Sequence, residues 1–227
     1  MFHRKTPFDV NGSSDISFNA SVAGLNDKAI TISTTKDVEM ITVFFLPYAA
    51  QVIMGIPCKE FSCDNVDFDQ LEDIEFKDLK AKVLEAESTD KCIDLIEEFI
   101  IKRLLKAQGS NYIKQLSNAF QLMNAKPDVR VEELASEACL SERQFRRVFI
   151  DNVGMSPKQI QRIQRFHLAT NEMLQSKVEN IEQIVYKYGY TDHSHFNREF
   201  HEIAGTTFTG IAMVVADPSR VFIGTPR

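Results

Sequence analysis

Residues 140–149 read LSERQFRRVF, and in a chain with a formal net charge of −6 they carry three arginines within five residues. On a helix advancing about 100° per residue, Arg143, Arg146 and Arg147 share one face. Phe145, Val148 and Phe149 share the opposite face. Ser141 followed by Gln144 has capping-box spacing, so the helix is predicted to start at Ser141. A packed back and a cationic front suit insertion into a nucleic-acid groove. A solvated charged face has the same pattern, and this stretch alone leaves both readings open.

The arrangement recurs. LASEACLSERQFRRVF superposes on IVYKYGYTDHSHFNREF, with one extra residue in the second turn. A helix–turn–helix needs a small residue within its first helix, a turn residue of little bulk or positive φ, and apolar positions in its second helix. Ala135, Cys139, Phe145 and Val148 fill those places in the first copy, and Val185, Gly189, Phe196 and Phe200 in the second. VRVEELASEA supplies the first helix of the first copy, with Val131, Leu134, Ala135 and Ala138 inward. Gly154 and Gly205 close the two arginine- and histidine-bearing helices. Between the copies, Ser156-Pro157 opens a predicted long helix over about 157–176. Ile160, Ile163, Phe166, Thr170, Met173 and Leu174 line one side of it; Lys158, Arg162 and Arg165 fall on the other. One such pattern is a weak signal, and two in tandem are a strong one.

The first half is mixed. KAITIST alternates and MITVFFL runs apolar, so 28–46 reads as strands ended by Pro47. A short helix is predicted over 48–54, closed by Gly55, and CDNVDFDQLEDIEFKDL (63–79) reads as acidic and irregular. Helices follow at about 90–106, with Ile93, Ile96, Ile100 and Leu104 as its stripe, and at about 111–124, with Ile113, Leu116, Phe120 and Met123. The first of these also carries Leu95, Phe99 and Ile101 on other sides, which fits either full burial or a dimer seam. Ala107-Gln108-Gly109-Ser110 is the expected domain boundary.

Composition excludes several classes. With 44% hydrophobic and 26% charged residues the chain is globular in character, and no apolar run approaches the roughly 18 residues of a membrane span. MFHRKTPFDV lacks the apolar core of a signal peptide, and four unevenly spaced cysteines (Cys58, Cys63, Cys92, Cys139) do not make a disulfide framework. The cytoplasm is the expected compartment, with no membrane partner. Positive charge is concentrated: residues 143–165 hold six basic side chains against Asp151 alone. Residues 177–205 hold three basic side chains against five acids. His193, His195 and His201 cluster, but their spacing does not converge on a metal, and Cys58 and Cys63 read as ordinary thiols. No catalytic constellation, metal site or cofactor is expected.

LSERQFRRVFIDNVGMSPKQIQRIQRFHLA and IVYKYGYTDHSHFNREFHEIAG resemble the DNA-binding region of the AraC/XylS-type transcriptional regulators, over roughly 111–211. VFFLPYAAQVIMGIP and NVDFDQL are similar, less closely, to the sensor region of one subgroup, and that match begins late, as in a shortened or diverged sensor. In GTTFTGI the chain departs from the family's usual Gly-x-x-Pro…Tyr-Arg ending. The resemblance implies an α+β N-terminal sensor or dimerisation domain over 1–108. An all-α domain over 109–227 would follow, with two three-helix subdomains, helix–turn–helix motifs at about 130–154 and 181–205, and a C-terminal tail. It implies a non-enzymatic, bacterial-type regulator; Pro57-Cys58 lacks the surroundings of the reactive cysteine in relatives that repair methylated DNA.

Carried over by position, the resemblance puts Arg143, Gln144, Arg146 and Arg147 in one major groove, and His193, Ser194, His195, Asn197 and Arg198 in the next. Gln144 has a second reading as the capping-box partner, and His195 as a bond to the preceding turn. Lys158, Arg162 and Arg165 are candidates for phosphate contacts or for ion pairs that orient the long helix. The implied partners are double-stranded DNA, a small-molecule or protein effector at the N-terminal domain, a second copy of the chain and RNA polymerase. The competing class is a protein-interaction module on the same fold, favoured by the acidic second copy.

Overall fold

A computed structural model of the chain describes residues 1–5, 9–10, 18–29, 32–33, 37–107, 112–175 and 181–206. It has a small strand-containing N-terminal part followed by a mostly helical region, the fold class read from the sequence. Two compact units emerge. The first comprises Met1–Asn26, Ile30–Leu116 and Arg147–Met155, and the second Asp27–Ala29, Ser117–Arg146 and Ser156–Arg227.

Among the described residues of the first unit, six short strands pair antiparallel in twos. β1 (Phe2–His3) pairs with β5 (Met40–Ile41), β2 (Asp9–Val10) with β4 (Ile32–Ser33), and β3 (Ser21–Ala23) with β6 (Asn65–Asp67). Phe2 stands opposite Ile41 and Val22 opposite Val66, and a bridge from Phe2 to Ala20 joins the first and third ladders. The strand expected through MITVFFL stops at Ile41. Beyond it Val43 still packs against the core while Phe44 and Leu46 are 52% and 59% exposed, so one face is covered, but the ladder pairs β1 only with Met40 and Ile41. Residues 30–31 and 34–36 of the same expected stretch lie outside the described residues, as do Gln108–Ser110 of the expected boundary and 207–227.

Among the described residues three helices lie wholly in this unit: α1 (Ala50–Met54), α2 (Ile74–Glu85) and α3 (Thr89–Lys106). The stretch 63–79, read as irregular, in fact contains β6, a 3-10 turn over Phe68–Gln70 and the start of α2. Asp73 caps α2 by accepting from the Glu75 N–H at 3.0 Å, and Phe76, Leu79 and Val83 are its buried stripe. Phe2, Phe68, Phe76 and Phe99 meet edge to face, with centroids 5.0–5.4 Å apart. Arg103 on α3 ties the helices together. Its guanidinium donates to the carbonyls of Ile53 and Met54 at the end of α1, and to Asp73 and Glu75 at the start of α2. It also lies over the rings of Phe76 and Phe99. Gly55, which ends α1 at φ 73°, has no room for a side chain: a Cβ there would lie 2.7 Å from that guanidinium.

The helical region contains α4 (Ile113–Ala125), α5 (Val131–Glu137), α6 (Glu142–Val153), α7 (Pro157–Gln175), α8 (Ile181–Lys187) and α9 (His193–Ala204). Each lies within a residue or two of its expected span. Ser156 and Gln159 form a reciprocal capping box at the start of α7, with the Gln159 side chain accepting from the Ser156 N–H at 3.0 Å. Gln161 of α7 donates to the Val129 carbonyl, and Gln164 to Asn124 at the end of α4. Phe166, Ala169 and Met173 of α7 form one apolar core with Ile184 and Val185 of α8, Tyr190, and Phe196, Phe200 and Ile203 of α9.

Candidate nucleic-acid interface

The two helix–turn–helix motifs share a backbone plan. In the first, the Leu140 N–H donates to the Ala135 carbonyl and the Cys139 N–H to that of Ser136. In the second, the Tyr190 N–H donates to Val185 and the Gly189 N–H to Tyr186. Both turns therefore close in the same way, with Cys139 at φ 55° and Gly189 at φ 75°. Thr191 is the extra residue, and the next helices begin at equivalent caps. Ser141 Oγ accepts from the Gln144 N–H at 3.3 Å, and the Asp192 carboxylate accepts from the His195 N–H at 2.7 Å.

On α6, Phe145, Val148 and Phe149 are buried and Arg143 and Arg147 are exposed. These two arginines have no hydrogen-bond or ion-pair partner among the described residues. Arg146 is committed: its guanidinium holds the Glu142 carboxylate at 2.8 and 2.5 Å, one turn back on the same helix. The Gln144 side chain is half-buried, and its backbone N–H is the one capped by Ser141.

On α9 the outward arc carries His193, Ser194, Asn197, Arg198, His201 and Glu202, and Phe196, Glu199, Phe200 and Ile203 are buried. Ser194 and Arg198 have no partner among the described residues, while the Asn197 side-chain amide meets His193 Nδ1 at 3.0 Å. His195 turns back to the preceding turn, where its Nδ1 accepts from the Thr191 N–H at 3.4 Å and meets Thr191 Oγ1 at 3.2 Å. That bond corresponds to the second reading of His195.

Lys158 is exposed. Arg162 and Arg165 are ion-paired, both to Glu199: Arg162 at 3.1 Å, with a second bond to Glu202, and Arg165 at 3.0 and 2.9 Å. Tyr190 Oη donates to the same carboxylate at 2.7 Å, under the Arg165 guanidinium stacked 4.6 Å over its ring. Burial opposes the charge on Arg165, and the Glu199 carboxylate outweighs it and raises the arginine's pKa. Burial and the same carboxylate push the Tyr190 phenol up. Glu199 was counted in the sequence only as one acid among five. Superposing the repeats gives its signal, because it occupies the position of buried Val148.

No helix among the described residues is long and apolar enough to cross a membrane, and none of their His, Cys, Asp and Glu side chains group as a metal site.

Two capped helices that follow matching turns, with α7 between them, make a tandem helix–turn–helix arrangement. Residues 134–211 match the family model described as "Helix-turn-helix domain". The matched stretch contains both turns and both following helices and agrees with the helix–turn–helix resemblance read from the sequence. The chain is also similar to a solved structure of a transcriptional regulator (AraC-type DNA-binding domain-containing proteins) from Chromobacterium violaceum. The two are 23% identical, the match covers 46% of this chain and 95% of that one, and the TM-score is 0.43. No curated protein matches the chain.

Proposed function

We propose that the chain is a sequence-specific transcriptional regulator whose helices α6 and α9 read successive major grooves on one face of DNA, about 34 Å apart. The observation that carries this reading is the pairing of two equivalent helices with outward side chains that no group among the described residues engages: Arg143 and Arg147 on one, Ser194 and Arg198 on the other. Arginine suits the task because its planar fork matches guanine O6 and N7, worth about 1–3 kcal/mol of discrimination per pair. Arg146, Gln144, His193, His195 and Asn197 flank these contacts, and Lys158 is the phosphate candidate least committed elsewhere. Arg162 and Arg165 serve to hold α9 through Glu199.

Residues 1–108 form the regulatory domain in this reading, which takes an effector or partner and acts on 109–227 in the cytoplasm, with RNA polymerase as the further partner. A second copy of the chain fits α3. Ile93, Ile101, Leu104 and Leu105 are 41–61% exposed on one side of it. Lys102, Arg103 and Lys106 of the same helix are paired within the chain to Glu75 and Asp73, which leaves these apolar side chains as what a second copy would cover. Light scattering that gives a monomer at micromolar concentration would refute this partner.

The test of DNA reading is fluorescence anisotropy over a salt series, on duplexes the protein itself selects from a random library. A reader making several phosphate contacts loses affinity steeply between about 50 and 200 mM salt. Replacing Arg143, Arg146 and Arg147 by alanine should abolish selective binding while circular dichroism stays unchanged. Failure to select any duplex would favour the protein-interaction module, for which the acidity around Asp192, Glu199 and Glu202 speaks.

A further inference from the structure

Three of the five histidines of the chain, His193, His195 and His201, lie on the 12-residue helix α9. Aligning α9 with α6 at Phe196 and Phe145 shows what they replace. Arg143 and Arg146 become Ser194 and Asn197, Arg147 becomes Arg198, and Glu142 and Ile150 become His193 and His201. The first recognition helix thus carries permanent charge. The second keeps one permanent outward cation and adds two exposed imidazoles on the same arc, within about 80° of each other on the helical wheel.

The elements packed against α9 bring their own charges. From α7, Arg162 and Arg165 are taken up by Glu199 and Glu202. From α8 come Glu182 and Lys187, the latter paired with Glu172. The turn before α9 brings Tyr188, Tyr190 and Asp192, and Asp27 and Lys28 flank Ala29, whose N–H donates to the Ile203 carbonyl. Asp192 caps the helix. Arg198 is the one outward cation of α9, against Glu202. His195 stands apart, since its ring turns back to the fixed Thr191 backbone N–H, whereas His193 Nδ1 meets the Asn197 side-chain amide at 3.0 Å, a group that can turn its oxygen to the ring instead.

We propose that His193 and His201 are DNA-contacting residues that take up protons as α9 engages the phosphate backbone, making the second module's grip dependent on pH while the first module's is not. Imidazole changes charge between about pH 5 and 8, and a phosphate beside it favours the imidazolium. Each proton taken up on binding steepens affinity by up to about tenfold per pH unit. The proposal rests on the reading that α9 faces DNA.

The experiment selects duplexes from a random library at pH 8 and at pH 5.5 in parallel, then measures anisotropy across that range at constant ionic strength. Wild type is expected to bind at least about tenfold tighter at the acid end. The His193→Gln/His201→Gln protein should vary by less than about twofold, because both positions are exposed and its fold, checked by circular dichroism, is retained. His193→Arg/His201→Arg should bind at pH 8 as wild type binds at pH 5.5. If wild type and the glutamine protein share one pH dependence, or wild type shows none, the proposal is overturned and DNA reading stands. If no duplex is selected at either pH, the reading of α9 as a DNA-facing helix fails, and this proposal with it.

Discussion

Among the residues of α6, position on the wheel and commitment to a partner separate side chains that composition treats alike. Arg143 and Arg147 are exposed and without a partner among the described residues, whereas Arg146 lies against Glu142. Arg143→Ala and Arg147→Ala are each expected to weaken selective DNA binding by about 1–3 kcal/mol, read by anisotropy. Glu142→Gln should act in the opposite sense. It releases Arg146 toward phosphate, so binding tightens at low salt and the salt dependence steepens by about one counterion. An unchanged slope would mean that Arg146 does not reach the backbone even when freed. The sequence could place these three arginines on one face, because a helical wheel needs only spacing. It could not tell which of them is occupied, because Glu142 precedes Arg146 at a spacing that surface helices use without consequence as often as with it.

At the level of elements, what was legible depended on how local the signal is. Caps, turns and apolar stripes are written within four or five neighbouring residues, and so α4 to α9 fall where their sequence places them. The equivalence of Cys139 and Gly189 was legible too, as the two positive-φ closures of matching turns. Helix α2 was not, because its three buried side chains are diluted by acids and it is held from a distance by Arg103. The strand run was overextended at Phe44 and Leu46 because apolar residues alone do not say whether another element covers them. Glu199 is the same lesson in the second repeat: a buried acid whose partners lie 34 and 37 residues away. Glu199→Gln removes the charge that two arginines and Tyr190 share. Arg162 and Arg165 keep 35% and 26% of their side-chain surface in water, so the loss should be about 1–3 kcal/mol, below the cost of breaking a fully buried pair. Urea denaturation checks it, with Glu202→Gln, at an exposed partner, as the mild control.

For the whole molecule, pH acts on stability through the histidines inside it. Burial lowers the pKa of His167, and burial together with the neighbouring N-terminal ammonium lowers that of His3. The folded state therefore binds these protons less readily than the unfolded chain. Stability is fully present above the unfolded value of about 6.5 and falls as pH drops through it. The urea midpoint should be lower at pH 5.5 than at pH 7.5, and His167→Gln should reduce the difference; a midpoint that rises on acidification would contradict this. Acid is thus expected to loosen the fold while tightening the proposed contacts of His193 and His201, so binding and melting measured together separate the two effects. The Glu199 position has a consequence for any exchange of α6 and α9 between the two motifs. The sequence of α9 carries its own buried carboxylate wherever it goes, and would bury it at the position of Val148 if set in the place of α6. The sequence of α6, set in the place of α9, would bring Val148 to a seat where two arginines wait for an anion. The copies share a backbone and are not spare parts for each other.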